Sequence, residues 1–212
     1  MAITINRKLN LVLPIELDEH RKIYFHSIPI SVEVFDANFW ILTQTLSNLY
    51  AHGIGPSMSP RIALRALRDT AKQIDDTQDI SLNLVNEIYR LTSVIMPGSN
   101  GSGWINLPYY EVKTKRLVDE QILSEVENAI VYFIVASALH LRSELEMALG
   151  GLVGIWKAET TSLSAMDYMR SLPTSTQTEN TGEKQERKPH TTVITAAPTQ
   201  QKPSAPVSSI PS

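Results

Sequence analysis

The sequence predicts a mainly α-helical fold: one helical domain with a small N-terminal β-hairpin and a disordered C-terminal tail. Three observations predict it. Apolar residues recur at helical spacing through most of the stretch from 32 to 171. Ahead of it, Leu9, Leu11 and Leu13 alternate with Asn10 and Val12, the period-two pattern of a half-buried strand. From "SLPTSTQTENTGEKQERKPHTTV" to the closing "SAPVSSIPS" there is no aromatic residue, and Pro, Ser and Thr recur to the end.

The hairpin is expected over 8–29, where "LNLVLPI" and the β-branched and aromatic "KIYFHSIPI" flank a polar turn, "ELDEHR". A lone hairpin is unstable in water, so it must lie on something, and helices supply that surface. A first helix is predicted over 32–51, with Ser31 as N-cap and Phe35, Phe39, Leu42, Leu46 and Leu49 along one stripe. Gly53, Gly55 and Pro56 end it. A second, over 60–74, has Ser59 as cap, Pro60 at the favoured first position, and Ala63, Leu67, Ala71 and Ile74 inward. A third, over 80–95, has Asp79 as cap and Ile80, Leu84, Ile88, Leu91 and Ile95 in register. "PGSNGSG" then breaks the chain.

The stretch "WINLPYYEVKTKRL" is ambiguous in period and is read as a short helix opening at Pro108. The longest helix is predicted over 118–149, striped by Ile122, Val126, Ile130, Phe133, Ser137, Leu141 and Leu145, with Gly150 and Gly151 interrupting or kinking it. A last helical stretch, over 152–171, holds Trp156, Leu163, Met166 and Met169. Pro173 closes the folded domain, 1–172. Residues 173–212 bring too little apolar surface to offset the roughly 1–2 kcal/mol per residue that ordering a backbone costs, so disorder is expected there.

A net charge of -3 gives the whole molecule no general pull toward nucleic acid or acidic membranes. The longest apolar run, "AIVYFIVASAL", falls well short of the roughly twenty residues of a membrane span and is read as a buried core helix. With no cysteine and no apolar run in the opening "MAITINRKLN", a reducing, cytosolic location is expected.

Catalytic chemistry needs convergent groups, and the sequence supplies no pattern for them. His20, His26, His52, His140 and His190 include no pair at metal-ligand spacing. Asp75, Thr77 and Asp79 alternate as in a calcium loop, but Ile80 and Asn86 stand where such a loop needs glycine and a bidentate glutamate. The Gly-rich "GSNGSG" follows a helix and leads to Trp104, whereas a phosphate cradle follows a strand and opens a helix. Glu125 and Glu127 point to different helix faces, as do Glu144 and Glu146. The expectation is a protein without enzymatic activity, cofactor or metal.

One surface pattern is sharper. Arg61, Arg65, Arg68 and Lys72 fall at i, i+4, i+7 and i+11, one face of the second helix. A solvated polar face is one reading; a docking strip for an acidic partner is the other. Nucleic acid fits poorly, because no aromatic residue interleaves the strip. Trp40 and Trp156, with Tyr89 and Trp104, are candidates either for interface anchors or for core. Self-association is a further open possibility.

Four stretches, "INRKLNLVLPI", "IYFHSIPIS", "SEVENAIVYFIVASALHLRSEL" and "AETTSLSAMDYMRSLPTST", together resemble the tail assembly chaperones of long-tailed bacteriophages, over residues 3–176. The resemblance lies in sequence texture, with no catalytic signature. It implies a non-enzymatic protein of the host cytoplasm that coats the long helical tape measure protein, keeps it soluble, and helps bring tail tube protein to it. Many members of that family are made in two forms, the longer by a programmed frameshift, and the resemblance would make this chain the shorter one. The competing expectation is a structural tail or head–tail completion protein retained in the virion, and a helical DNA-binding regulator is a third. In the chaperone reading, the tail reaches past the domain to a second protein or carries a fused extension.

Overall fold

The computed structural model describes residues 9–18, 21–51, 55–77, 79–98 and 103–173. The expected disorder of 173–212 falls, beyond Pro173, outside the described residues. The expectation of a helical domain with a small hairpin is corrected by a five-stranded antiparallel sheet.

Strand β1 (Asn10–Glu16) and strand β2 (Lys22–Ser27) form the N-terminal hairpin, with Leu11 opposite Ser27 and Glu16 opposite Lys22. At the turn, the Asp18 carboxylate accepts from the Arg21 backbone N–H at 2.8 Å and from Arg21 Nε at 2.7 Å. This pair is the interior of the sheet, where the sequence predicts an appendage. Strand β3 (Thr92–Pro97) pairs with β2, and strand β4 (Trp104–Pro108) pairs with β3. Strand β5 (Glu159–Thr161) closes on the free side of β1, giving the order β4-β3-β2-β1-β5.

The three added strands lie where helices or an ambiguous segment are predicted. The expected 80–95 helix is helix α5 (Ser81–Arg90) followed by β3. Asp79, expected as its cap, lies one residue before the N-cap Ile80, and its carboxylate accepts from the Ser81 N–H at 3.1 Å. Val94 and Ile95 are both fully buried, one on each face of the sheet, so β3 shows no polar alternation to separate it from a helix. The segment from Trp104 enters as β4 and turns into helix α6 (Tyr109–Thr114) directly after Pro108.

Other helices divide differently from their predicted spans. The 32–51 helix is two: helix α1 (Val32–Ala37), capped by Ser31 Oγ, and helix α2 (Phe39–Ala51), with Asn38 between them. The 60–74 helix begins as a 3-10 turn (Ser59–Arg61) and becomes helix α4 (Ala63–Ile74) after Ile62. A short helix, α3 (Gly55–Met58), precedes it, and Gly55 opens that helix at a φ of 64°, a left-handed conformation that glycine adopts without strain.

The predicted 118–149 helix breaks at His140 and Leu141 into helix α7 (Glu120–Leu139) and helix α8 (Arg142–Trp156). Gly150 and Gly151, expected to interrupt, lie inside α8. That helix ends instead on Lys157 in the left-handed conformation. The predicted 152–171 helix is the end of α8, then β5, then helix α9 (Ala165–Ser171).

Sheet periodicity sorts the core. Leu11, Leu13, Ile23, Phe25 and Val94 face the helical layer and share one large core with it. Helix α7 runs through that core, and every residue from Val131 to Ala138 is buried. By length and composition α7 could cross a membrane, but the rest of the fold covers most of it. The opposite face of the sheet, with Val12, Tyr24, Ile95 and Trp104, is covered by α9 through Tyr168, Met169 and Leu172.

Candidate docking surfaces

Helix α4 forms because Ala63, Leu64, Leu67 and Ala71 bury one face against the core. Arg65, Arg68 and Lys72 are left on its exposed side. Arg61 is also exposed but sits in the 3-10 turn, so the four cations do not share one continuous helix. Arg65 Nε lies 3.7 Å from Asp69 Oδ2, both well exposed, a pair that contributes little to stability.

Beside this strip, α2 and α4 leave a groove of about 300 Å³, lined by Leu49, Ile62 and Ala66, with Asn48, Arg65 and Asp69 among its polar residues. Asn48 Nδ2 donates to Thr70 Oγ1 at 3.0 Å and ties the two helices together. The sequence pointed to Arg65; it missed the groove, because the apolar partners come from two helices.

Trp40 lies at the start of α2 and is 74% exposed. Its ring meets that of Phe39 edge-on at 5.9 Å, and Phe39 meets Phe35 in the same way at 5.7 Å. Trp156 is half-buried against the core, where it lines a second depression, of about 320 Å³, with Ile15, Lys22, Ile122 and Glu125. The structure thus places Trp40 and Trp156 in different surroundings and brings neither into the lining of the α2–α4 groove. Of the other two candidates, Tyr89 is core, and Trp104 donates from Nε1 to the Pro173 carbonyl at 3.0 Å.

Sequence reasoning missed two polar clusters. Glu127 is buried on α7, where it accepts from Tyr109 Oη at 2.5 Å and from Lys113 Nζ at 2.5 Å. Lys113 Nζ also sits 4.9 Å from the Tyr89 ring centre. Burial first, then the hydrogen bond to Glu127, pushes the Tyr109 phenol far above its ordinary range. Tyr89, buried beside the same carboxylate, is raised for the same leading reason. This arrangement pins α6 to α7: the Glu127 carboxylate is held by two donors from α6. In sequence, Glu127 looks no different from the exposed Glu125 two residues before it.

The second cluster lies under α9. His26 is fully buried, its Nε2 is 3.0 Å from the Leu163 carbonyl, and its Nδ1 has no partner. Burial lowers its pKa, and the Leu163 contact offsets only part of that. Asn10 Nδ2 donates to the same carbonyl at 2.8 Å, and Tyr168 Oη donates to Glu159.

Among the described residues no group of three or more His, Asp or Glu is placed to hold a metal ion. Compared with protein families, curated proteins and solved structures, the chain matches none.

Proposed function

We propose that this protein is a non-enzymatic tail assembly chaperone of a long-tailed bacteriophage, acting in the host cytoplasm. It binds the tape measure protein and helps recruit tail tube subunits. The phage assignment rests on the four resembling sequence stretches. The observation that carries the binding mode is the α2–α4 groove, whose apolar lining lies beside the exposed Arg65, with Arg68 and Lys72 exposed farther round the same helix. A long amphipathic helix with an acidic flank fits such a surface, apolar side in the groove and charge on the rim. Several copies along one client hold it through modest individual affinities.

The test is co-expression with the tape measure protein, reading its solubility and co-purification. The quadruple variant Arg61→Glu, Arg65→Glu, Arg68→Glu, Lys72→Glu is expected to lose the client while its far-UV spectrum stays unchanged. Full retention by that variant would remove the α2–α4 surface from the proposal; failure of the native protein to hold the client would remove the chaperone reading. Removing 174–212 is expected to leave client binding intact and to weaken recruitment of tail tube protein. The alternative, a structural component retained in the virion, is favoured by one feature: β4 is an edge strand with no strand paired on its outer side among the described residues. Recovery of the protein in purified particles would decide for it.

A further inference from the structure

Helix α9 covers its face of the sheet with a good apolar fit and a poor polar one. Of the four buried side-chain polar atoms without a partner among the described residues, three lie under it: Asn10 Oδ1, His26 Nδ1 and Asn106 Oδ1. Each belongs to a side chain whose other end meets the α9 segment. Asn10 Nδ2 and His26 Nε2 both reach the Leu163 carbonyl, at 2.8 and 3.0 Å, and Asn106 Nδ2 reaches Met166 Sδ at 4.0 Å. A carbonyl only accepts, so Nε2 carries the imidazole proton and all three orphans are acceptors. A buried acceptor left unmade costs stability, and the segment 162–173 supplies no donor to any of the three.

We propose that α9 is a displaceable strap, occupying in the free protein a face that receives an amphipathic helix from a partner. The apolar fit is that of a helix on a sheet. Ala165, Tyr168, Met169 and Leu172 fall at i, i+3, i+4 and i+7 and pack with Val12, Tyr24, Ile95 and Trp104. This cluster is separate from the main core, so α9 can lift while the core stays closed. Tyr168 Oη donates to Glu159 on β5, within the same C-terminal segment, and that bond does not tie α9 to the sheet interior. At its far end the segment is held by Trp104 Nε1, which donates to the Pro173 carbonyl at 3.0 Å. A partner helix with the same apolar stripe, and with side-chain amide donors over Asn10, His26 and Asn106, satisfies what α9 leaves bare. The chemistry of the partner is set on two counts, apolar spacing and donors. The face lies across the sheet from the helical layer, so the inference does not rest on the proposed function or on the α2–α4 groove.

The chain has no cysteine, so single thiols report each face of the sheet separately. Val94 and Ile95 are adjacent and fully buried, Val94 under the helical layer and Ile95 under α9. Labelling of full-length Val94→Cys and Ile95→Cys with Ellman's reagent in native buffer tests the strap. The thiol at 95 is expected to react about tenfold or more faster than global unfolding of that variant allows, and the thiol at 94 only at the global rate. Met166→Gln offers Asn106 both an amide donor and an acceptor, and should slow labelling at 95 about fivefold while leaving 94 unchanged. Anisotropy of a fluorescein-labelled peptide of residues 162–173 carrying Met166→Gln tests the occupant. It should bind full-length Tyr168→Ala about tenfold tighter than the native chain, whose own α9 competes, and a scrambled peptide should not bind. Labelling at 95 no faster than global unfolding, no slowing by Met166→Gln, or equal binding of the scrambled peptide would each overturn the inference.

Discussion

At the scale of single residues, His26 has the clearest consequence for solution behaviour. It is buried, neutral and held through Nε2 to the Leu163 carbonyl, so Nδ1 has no donor or acceptor to meet an added proton. The groups around it, Tyr168 on α9, Glu159 on β5 and Tyr24 on β2, include one carboxylate, and that carboxylate already accepts from Tyr168. The folded-state pKa lies below the unfolded value of about 6.5, so the unfolded chain binds the proton more readily. The stabilisation is complete above about pH 6.5 and is lost as pH falls from there toward the lowered pKa. Thermal melts from pH 7.5 to 5 are expected to show a decline that His26→Gln flattens. An equal decline in the variant would assign the effect to other groups. The tyrosines act at the other end. Tyr89, Tyr109, Tyr132 and Tyr168 are all raised, chiefly by burial. Their neutral forms stabilise the fold below pH about 10, and that stability is lost as pH rises past it.

At the scale of elements, the Glu127 cluster decides how firmly α6 is held on α7. Lys113→Met leaves the Glu127 carboxylate buried with Tyr109 as its remaining donor. The expected cost is about 2 kcal/mol, below that of breaking a fully buried pair because Lys113 is itself partly exposed. Glu127→Gln keeps an acceptor for Tyr109 and is expected to cost less. Denaturant unfolding of the two variants should rank them in that order, and the reverse order would mean that the ion pair matters less than the hydroxyl bond. Helix α8 illustrates a different balance. Each exposed glycine lowers intrinsic helix stability by about 1 kcal/mol relative to alanine. Burial of Leu145, Leu149 and Leu152 outweighs this at roughly 1.5–3 kcal/mol each.

At the scale of the whole molecule, the sheet is covered unequally. The helical layer buries one face under many side chains, whereas α9 covers the other with Tyr168, Met169 and Leu172. Ending the chain at Pro173 is expected to leave the melting temperature unchanged, because the Trp104 contact to Pro173 survives. Ending it at Thr161 uncovers Val12, Tyr24 and Ile95 and is expected to destabilise the protein by about 2–4 kcal/mol, with binding of a hydrophobic dye. A Thr161 truncation as stable as the full chain would show that α9 is not part of the folding unit.

By itself the sequence determined the local elements whose signals are self-contained. The hairpin was legible because Leu11 and Leu13 alternate against residues of the opposite face. The start of α1 was legible in Ser31, and the buried face of α4 in Ala63, Leu67 and Ala71, whereas Ile74, expected inward, is half exposed at the helix end. The Arg65–Arg68–Lys72 face of α4 was legible for the same reason, since helical spacing alone aligns it. Only the tertiary structure decided that the hairpin lies inside a sheet. Strand β3 is buried on both faces, so its periodicity fits helix and strand alike, and β5 is too short to carry a pattern. It also decided that α7 stops at Leu139 with no glycine or proline to mark the break, while α8 continues through two glycines. Helix ends there answer to which apolar side chains can be buried together. That is settled by contacts between segments far apart in the chain, and no local stretch of sequence contains them.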